Sequence, residues 1–413
     1  MVARRDQYLV GLDVGTSKIA AVVGEVMEDD SLDIIGIGVA AASNSIRRGV
    51  VVNLEAAVEA IKRAIEEAEL TAGVEIDTVW VALSGEHARA FNSRGVVAVA
   101  GKNREIDRTD VRRAIESAHA RAQLPHGRQL MHILPQDYMV DEHDGVSSPV
   151  GMTGARLEVN VHVITGNTST MQNLIACVNR AGVTVAGTVL GPLAATEAVL
   201  TTDEKELGVA LVDIGAGTTD FAVFERGSVW HTGAIGIGGD HFTNDAAVQL
   251  RMPIPEAEKT KRRSGCAFAS LVEDEESIEI ASVGGRQPRV LKRRLLAEVL
   301  QPRAEEIFHK LWDDLRAGGY ESSLHSGLVL TGGGSVLDGL PEIADQIFNL
   351  PIRRGTPMGV GGLTDHVSSP SFATAVGLVM YAHRHRALDR ERSSGGLRRV
   401  AGRLRGFFKE YFS

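Results

Sequence analysis

The chain has 413 residues, a formal net charge of −9, 44% hydrophobic and 5% aromatic side chains, and 45 glycines. That length holds two or more domains, each with its own core, while the acidic balance argues against nucleic acid as the main partner, because phosphate backbones are gripped by basic surfaces. Cys177 and Cys266 stand apart from each other and from any Cys/His cluster, which argues against a disulfide framework or zinc site and fits a reducing cytoplasm.

Arg4 and Arg5 precede only a short apolar run, so no signal peptide is expected. Strands are predicted at 8–14, 18–26 and 33–39, followed by an amphipathic helix over 53–70 with apolar Leu54, Val58, Ile61 and Ile65 at helical spacing. Asn53 suits its N-cap, and a strand follows at 78–83. The segment 85–165 breaks this plan, with a helix near 109–122, a strand near 129–140 and an alternating run at 157–164, and reads as an insertion. A helix (168–181), a strand (184–190) and a helix (192–200) come next. The plan of three strands and a helix then recurs at 208–213, 218–224, 228–235 and 240–250. A second insertion spans 253–301, a long helix 291–315 leads into a strand at 327–331, and the charged, Ser/Gly-rich stretch 386–396 reads as a flexible linker. No window approaches eighteen uninterrupted apolar residues, so no membrane-spanning helix is expected.

The recurrence is sharpest at two glycine-rich turns. Val10-Gly11-Leu12-Asp13-Val14-Gly15-Thr16-Ser17-Lys18 matches Leu211-Val212-Asp213-Ile214-Gly215-Ala216-Gly217-Thr218-Thr219-Asp220 in pattern. Each is an apolar run ending near an Asp, a turn of Gly, Ser and Thr, and a second apolar run, the signature of a hairpin with an amide- and hydroxyl-bearing tip. Two such tips facing each other would clamp a polyphosphate. Gly15, Thr16, Ser17, Gly215, Gly217, Thr218 and Thr219 are the expected donors, and Lys18 is the point charge. Asp13 and Asp213 are placed to hold magnesium through its waters. A third cluster, Gly332-Gly333-Gly334, follows the strand at 327–331, where bare backbone could lie against a base. One such turn alone would be only a tight turn; three with matching acids point to a nucleotide.

The last segment carries a different signal. At 100° per residue, Leu397, Val400, Leu404, Phe407, Phe408, Tyr411 and Phe412 fall within an arc of about 140°, with Arg398, Arg399, Arg403, Arg405 and Lys409 outside it. A bulky apolar face beside a basic one, on a tether, reads as an interfacial helix for an anionic membrane.

These motifs resemble those of the actin-like ATPases, with the hairpins similar to their phosphate motifs and 330–340 to their adenosine motif. Segments 188–200 and 371–378 resemble the helices lining the interdomain hinge, and Ala257-Glu258-Lys259-Thr260-Lys261 resembles the helix that reaches the ribose, which implies roles for Glu258 and Lys261. Within that superfamily the whole chain resembles the FtsA family of bacterial cell-division proteins. The runs Leu83-Ser84-Gly85-Glu86-His87, Pro149-Val150-Gly151-Met152, His162-Val163-Ile164-Thr165, Ser282-Val283-Gly284-Gly285-Arg286 and Gly361-Gly362-Leu363-Thr364-Asp365 carry the likeness.

The resemblance implies a duplicated α/β, ribonuclease-H-like fold of two lobes. Subdomain 1A would comprise 1–84, 166–201 and 360–385, with 1C at 85–165. Subdomain 2A would comprise 202–252 and 306–359, with 2B at 253–305, the linker at 386–396 and the amphipathic helix at 397–412. It also implies ATP and Mg2+ as cofactors, self-polymerisation, and a place on the cytoplasmic face of the cell membrane at the division site. Subdomain 2B would take the C-terminal peptide of the tubulin-like FtsZ, with Arg286, Arg293, Arg294 and Arg303 as the cationic face, and 1C would meet later division proteins. Hydrolysing relatives carry a glutamate where this chain has Gly191, and Glu197 lies too far along the helix to replace it, so ATP binding with slow hydrolysis is expected and no catalytic residue is named. A sugar-kinase-like phosphotransferase and a chaperone-type ATPase are the alternatives on this fold. The first lacks an evident acidic base and the second its long substrate-binding domain.

Overall fold

We describe the chain from a computed structural model that covers residues 7–394 apart from Lys102. The amphipathic segment read at 397–412 lies outside the described residues. Two sheets share one plan. The first runs in the order Thr184–Leu190, Thr78–Leu83, Tyr8–Val14, Lys18–Val26, Leu32–Ala41 and Gly361–Gly362. The second runs Ile352–Arg354, Leu328–Thr331, Val209–Ile214, Thr219–Glu225 and Ser228–Ile235. In each, a three-stranded antiparallel meander offers its first strand to a parallel neighbour, Gly11 opposite Trp80 in one and Ala210 opposite Leu328 in the other. The central strands are apolar almost throughout because helices cover both faces. The duplication in the sequence is thus a duplication of sheets.

Helix Leu54–Ala72 begins where expected: the Asn53 side chain accepts from the Ala56 amide, and Gly73 ends it at φ 70°. Among the described residues, eight strands escaped the reading of the sequence, four of them the two- and three-residue strands Ile46–Arg47, Val50–Val51, Ile352–Arg354 and Gly361–Gly362. Arg89–Ala98 and His143–Val146 are half-exposed and rich in charge, and Ser277–Ile280 pairs with Arg289–Lys292 in a short hairpin. The linker is corrected over most of its length. Helix Ala373–Ser394 continues through residues 386–394, since charged Arg and Glu residues sustain a helix as readily as a coil.

The segment 85–165 forms its own sheet, ordered Arg89–Ala98, Arg156–Asn167, Arg128–Val140 and His143–Val146. Helix Arg108–Arg121 packs on it over a separate core of Ile106, Val111, Ile115, Leu157 and Val161. This sheet also reaches the second lobe. Gln136 Nε2 donates to Val229 O and Trp230 O, both at 3.2 Å. Buried His162 lies between Asn92 Oδ1 at 2.7 Å and Thr232 Oγ1 at 2.9 Å. Burial, with His231 and His132 nearby, pushes the His162 pKa down to about 3, so the ring is neutral. Between the lobes, helix Gly191–Val199 packs on Ala373–Ser394 so closely that a Cβ on Gly377 would lie 1.9 Å from Ala194 O.

Candidate functional site

Both glycine turns close as hairpin tips. The Gly15 amide donates to Lys18 O at 3.0 Å, and the Gly215 amide to Thr218 O at 2.9 Å. The tips meet across the cleft: a Cβ on Gly217 would lie 2.8 Å from Thr16 Oγ1. The second tip is braced from behind, because the Gly239 and Asp240 amides donate to Gly215 O (2.9 Å) and Ala216 O (2.8 Å). Ser17 is exposed, its carbonyl accepting from the Ala42 amide at 3.0 Å. Two expected donors turn inward instead. Thr219 Oγ1 donates to Ile237 O at 2.9 Å, and Thr218 Oγ1 to Asp220 Oδ2 at 2.7 Å, so both hydroxyls hold the tip's shape.

Asp13 and Asp213 leave matching strands and face one another's charge, and the structure adds a third acid. Asp220 Oδ1 accepts from the Gly85 amide at 2.7 Å, which ties the second hairpin to the root of the inserted sheet. Asp213 Oδ2 accepts from Thr374 Oγ1 at 3.0 Å. Lys18 Nζ donates to Ser371 Oγ at 3.0 Å and sits 3.7 Å over the Phe372 ring. Burial pushes the Asp13 carboxyl up to about 7, with Asp213 adding and Lys18 opposing. It pushes Asp213 up to about 6 against the Thr374 hydrogen bond and Lys18. Asp220 rises to about 7, again from burial, against its bonds to Thr218 and Gly85. Burial lowers the Lys18 pKa, with Asp13 opposing and Arg262 adding. One ammonium is therefore outnumbered by three carboxylates, an environment suited to a hard divalent cation. Among the described residues no three His, Cys, Asp or Glu side chains converge to hold a metal directly.

The third glycine cluster joins the same place. A Cβ on Gly332, at φ 83°, would lie 2.1 Å from Asp213 Oδ1, and one on Gly333 would meet only Ser371, at 3.7 Å. Gly334 packs on Ile214. Helix Ile254–Ser264 brings in Glu258 and Lys261. Lys261 Nζ donates to Gly239 O at 2.9 Å and pairs with Glu258 Oε2 at 2.6 Å, and Thr243 Oγ1 donates to the same carboxylate. Burial raises the Glu258 pKa, but the charge and hydrogen bond of Lys261, the Thr243 hydroxyl and Arg262 together outweigh it and hold the carboxyl below its ordinary range.

Other expected residues lie elsewhere. Gly191 starts its helix against Ser84, whose Oγ a Cβ would approach to 2.0 Å. Glu197 pairs with Arg384 at 3.1 Å and Lys205 at 3.7 Å. The cationic face is largely neutralised within the chain: Arg293 pairs with Glu276 (2.7 Å), Arg294 with Asp274 (2.5 Å) and Arg303 with Asp245 (2.8 Å). Acidic residues from the loop before Ser277–Ile280 cover the first two, and Arg286 stays exposed. In the inserted segment His132 is buried, accepting from the Leu190 amide at 3.1 Å, and His126 and His143 are exposed. His119 is half-buried on helix Arg108–Arg121.

Two lobes of duplicated topology, closing glycine-rich hairpin tips over buried acids and a lysine, define an actin-like α/β protein. Solved structures share that fold: the PilM-PilN type IV pilus biogenesis complex (TM-score 0.67, 17% identity, 91% of this chain and 98% of that one) and MreB5 of Spiroplasma citri bound to ADP (TM-score 0.54, 14% identity, 94% and 99%). The chain belongs to the FtsA family of cell-division proteins. Residues 210–377 match the family profile "Cell division protein FtsA", and 85–165 match "SHS2 domain inserted in FTSA". Cell division protein FtsA of Pseudomonas aeruginosa is 47% identical over 91% of this chain and 89% of its own length. That of Borreliella burgdorferi is 40% identical over 98% and 99%, and that of Escherichia coli K12 is 39% identical over 92% of each.

Proposed function

We propose that the chain binds ATP with magnesium between the two hairpin tips, turns it over slowly if at all, and polymerises on the cytoplasmic face of the cell membrane to anchor FtsZ filaments. The observation that carries the nucleotide reading is the meeting of three glycine clusters at one carboxylate: Asp213 lies beside Gly332, is bonded to Thr374, and shares its cleft with Lys18 and both hairpin tips. Magnesium would neutralise charge among Asp13, Asp213 and the phosphates, contacting the acids through its waters. Gly191 supports slow hydrolysis, because no side chain stands there to orient a water.

The inserted sheet is the proposed meeting place for later division proteins, and the basic amphipathic segment 397–412 the proposed lipid anchor. The FtsZ peptide is proposed to settle beside residues 253–305, where exposed Leu271, Val283 and Val290 accompany Arg286. Titration of the full chain with ATP, with and without magnesium, tests the core of this reading. Magnesium-dependent saturation that Asp213→Ala weakens by roughly a hundredfold is the expected result. Equal binding by the variant, or turnover above about one per second that the variant loses, would overturn it.

A further inference from the structure

At the cleft mouth, the short hairpin Ile46–Arg47/Val50–Val51 turns through Arg48 and Gly49, both left-handed at φ 50° and 78°. Neighbours fix the turn from two sides. A Cβ on Gly49 would lie 1.9 Å from Ser84 O, and one on Gly217 would lie 3.1 Å from the Arg48 amide nitrogen and 2.8 Å from Thr16 Oγ1. Arg48 is thus held where the tips of both glycine-rich hairpins meet. Its Nη2 reaches across to the other lobe, 3.1 Å from His241 Nε2.

That contact is not an ordinary hydrogen bond. His241 Nδ1 accepts from the Gly238 amide at 3.1 Å. A neutral imidazole has one acceptor nitrogen, so with Nδ1 committed its Nε2 carries the proton. Two N–H donors, one from each lobe, therefore face each other, and among the described residues no carboxylate pairs with Arg48. What satisfies two adjacent donors is an anionic oxygen set against both.

We infer that Arg48 and His241 form a two-donor clamp for the outermost phosphate of the bound nucleotide, discriminating triphosphate from diphosphate. The inference rests on the nucleotide reading of the cleft and adds specificity to it. Because one donor comes from each lobe, the clamp is complete only when lobe closure and the last phosphate coincide.

The test is titration of the full-length protein with magnesium and ATP, ADP or inorganic phosphate, comparing wild type with Arg48→Gln, Arg48→Lys, His241→Ala and His241→Gln. Arg48→Gln is expected to weaken ATP by about tenfold or more while leaving ADP nearly unchanged, which also shows that the variant folds. Arg48→Lys keeps the charge but loses the fork, and falls between. His241→Gln, which retains an N–H donor, keeps more preference for ATP than His241→Ala. Equal losses for ATP and ADP, or none, would overturn the clamp and leave the cleft reading standing. Phosphate alone binding wild type as tightly as ATP would also overturn it, reassigning the donors to a free anion. If wild type binds neither nucleotide, the cleft reading itself fails.

Discussion

Asp13 and Asp213 face Lys18, Asp220 faces both acids, and the consequence for pH follows from the direction of their shifts. Each folded pKa, about 7, 6 and 7, lies above the ordinary 3.8. Between those values the folded state holds more protons than the unfolded chain, so stability from these groups falls as pH rises through that window. Thermal melts of the nucleotide-free protein from pH 5.5 to 7.5 are expected to show a shallower decline in Asp220→Asn than in wild type. His162 works in the opposite direction. Its folded pKa of about 3 lies below 6.5, so its contribution is complete above that value and is lost as pH falls toward 3. Burial holds it neutral, with His231 and His132 adding, and its partners are Asn92 and Thr232. The stability difference between wild type and His162→Gln is expected to shrink on acidification below pH 6.5, by at most about 1.4 kcal/mol per pH unit.

The two helices packed between the lobes show why a residue absent from the chemistry can still be required by packing. Gly191 leaves room for Ser84 and Gly377 for the Ala194 carbonyl. Gly191→Glu is expected to destabilise the protein without raising phosphate release in a malachite-green assay, because the new side chain must first displace Ser84. Gly377→Ala, forcing two helices apart, is expected to cost roughly 1–3 kcal/mol in denaturant titration. Much at this scale was legible beforehand. Tyr8–Val14, Lys18–Val26, Thr78–Leu83 and Ser228–Ile235 are apolar runs bounded by Gly, Asp or Ser, and their limits could be read residue by residue. Arg89–Ala98 was not legible, since its exposed face carries Asn and Arg that mask the alternation. The acids at the strand ends announced themselves by repetition. Asp220 stood in the same motif, but its partner Gly85 belongs to the other lobe. Arg48 and His241 share no motif at all, so no spacing in the chain could have joined them.

Across the whole molecule, the inserted sheet is rooted in one lobe and bonded to the other through Gln136 and His162. Thr232→Val leaves His162 Nε2 without its donor, an unsatisfied buried group that costs about 1–3 kcal/mol. Faster amide exchange in both Arg156–Asn167 and Ser228–Ile235 is the expected outcome, and exchange confined to one of them would argue against a shared seam. Flotation with anionic vesicles tests the far end of the chain: wild type is expected to float and a chain ending at Asp389 to remain below.

Helix Ala373–Ser394 joins these scales. Its first turn holds Thr374 against Asp213, directly after the Ser371 and Phe372 that cradle Lys18, and it runs for 22 residues. At 1.5 Å per residue that is a rod of about 33 Å. A tilt of about 5° at the cleft would sweep its far end through about 3 Å, so the helix can act as a lever whose short arm rests on Asp213 and Lys18 and whose long arm ends at Ser394.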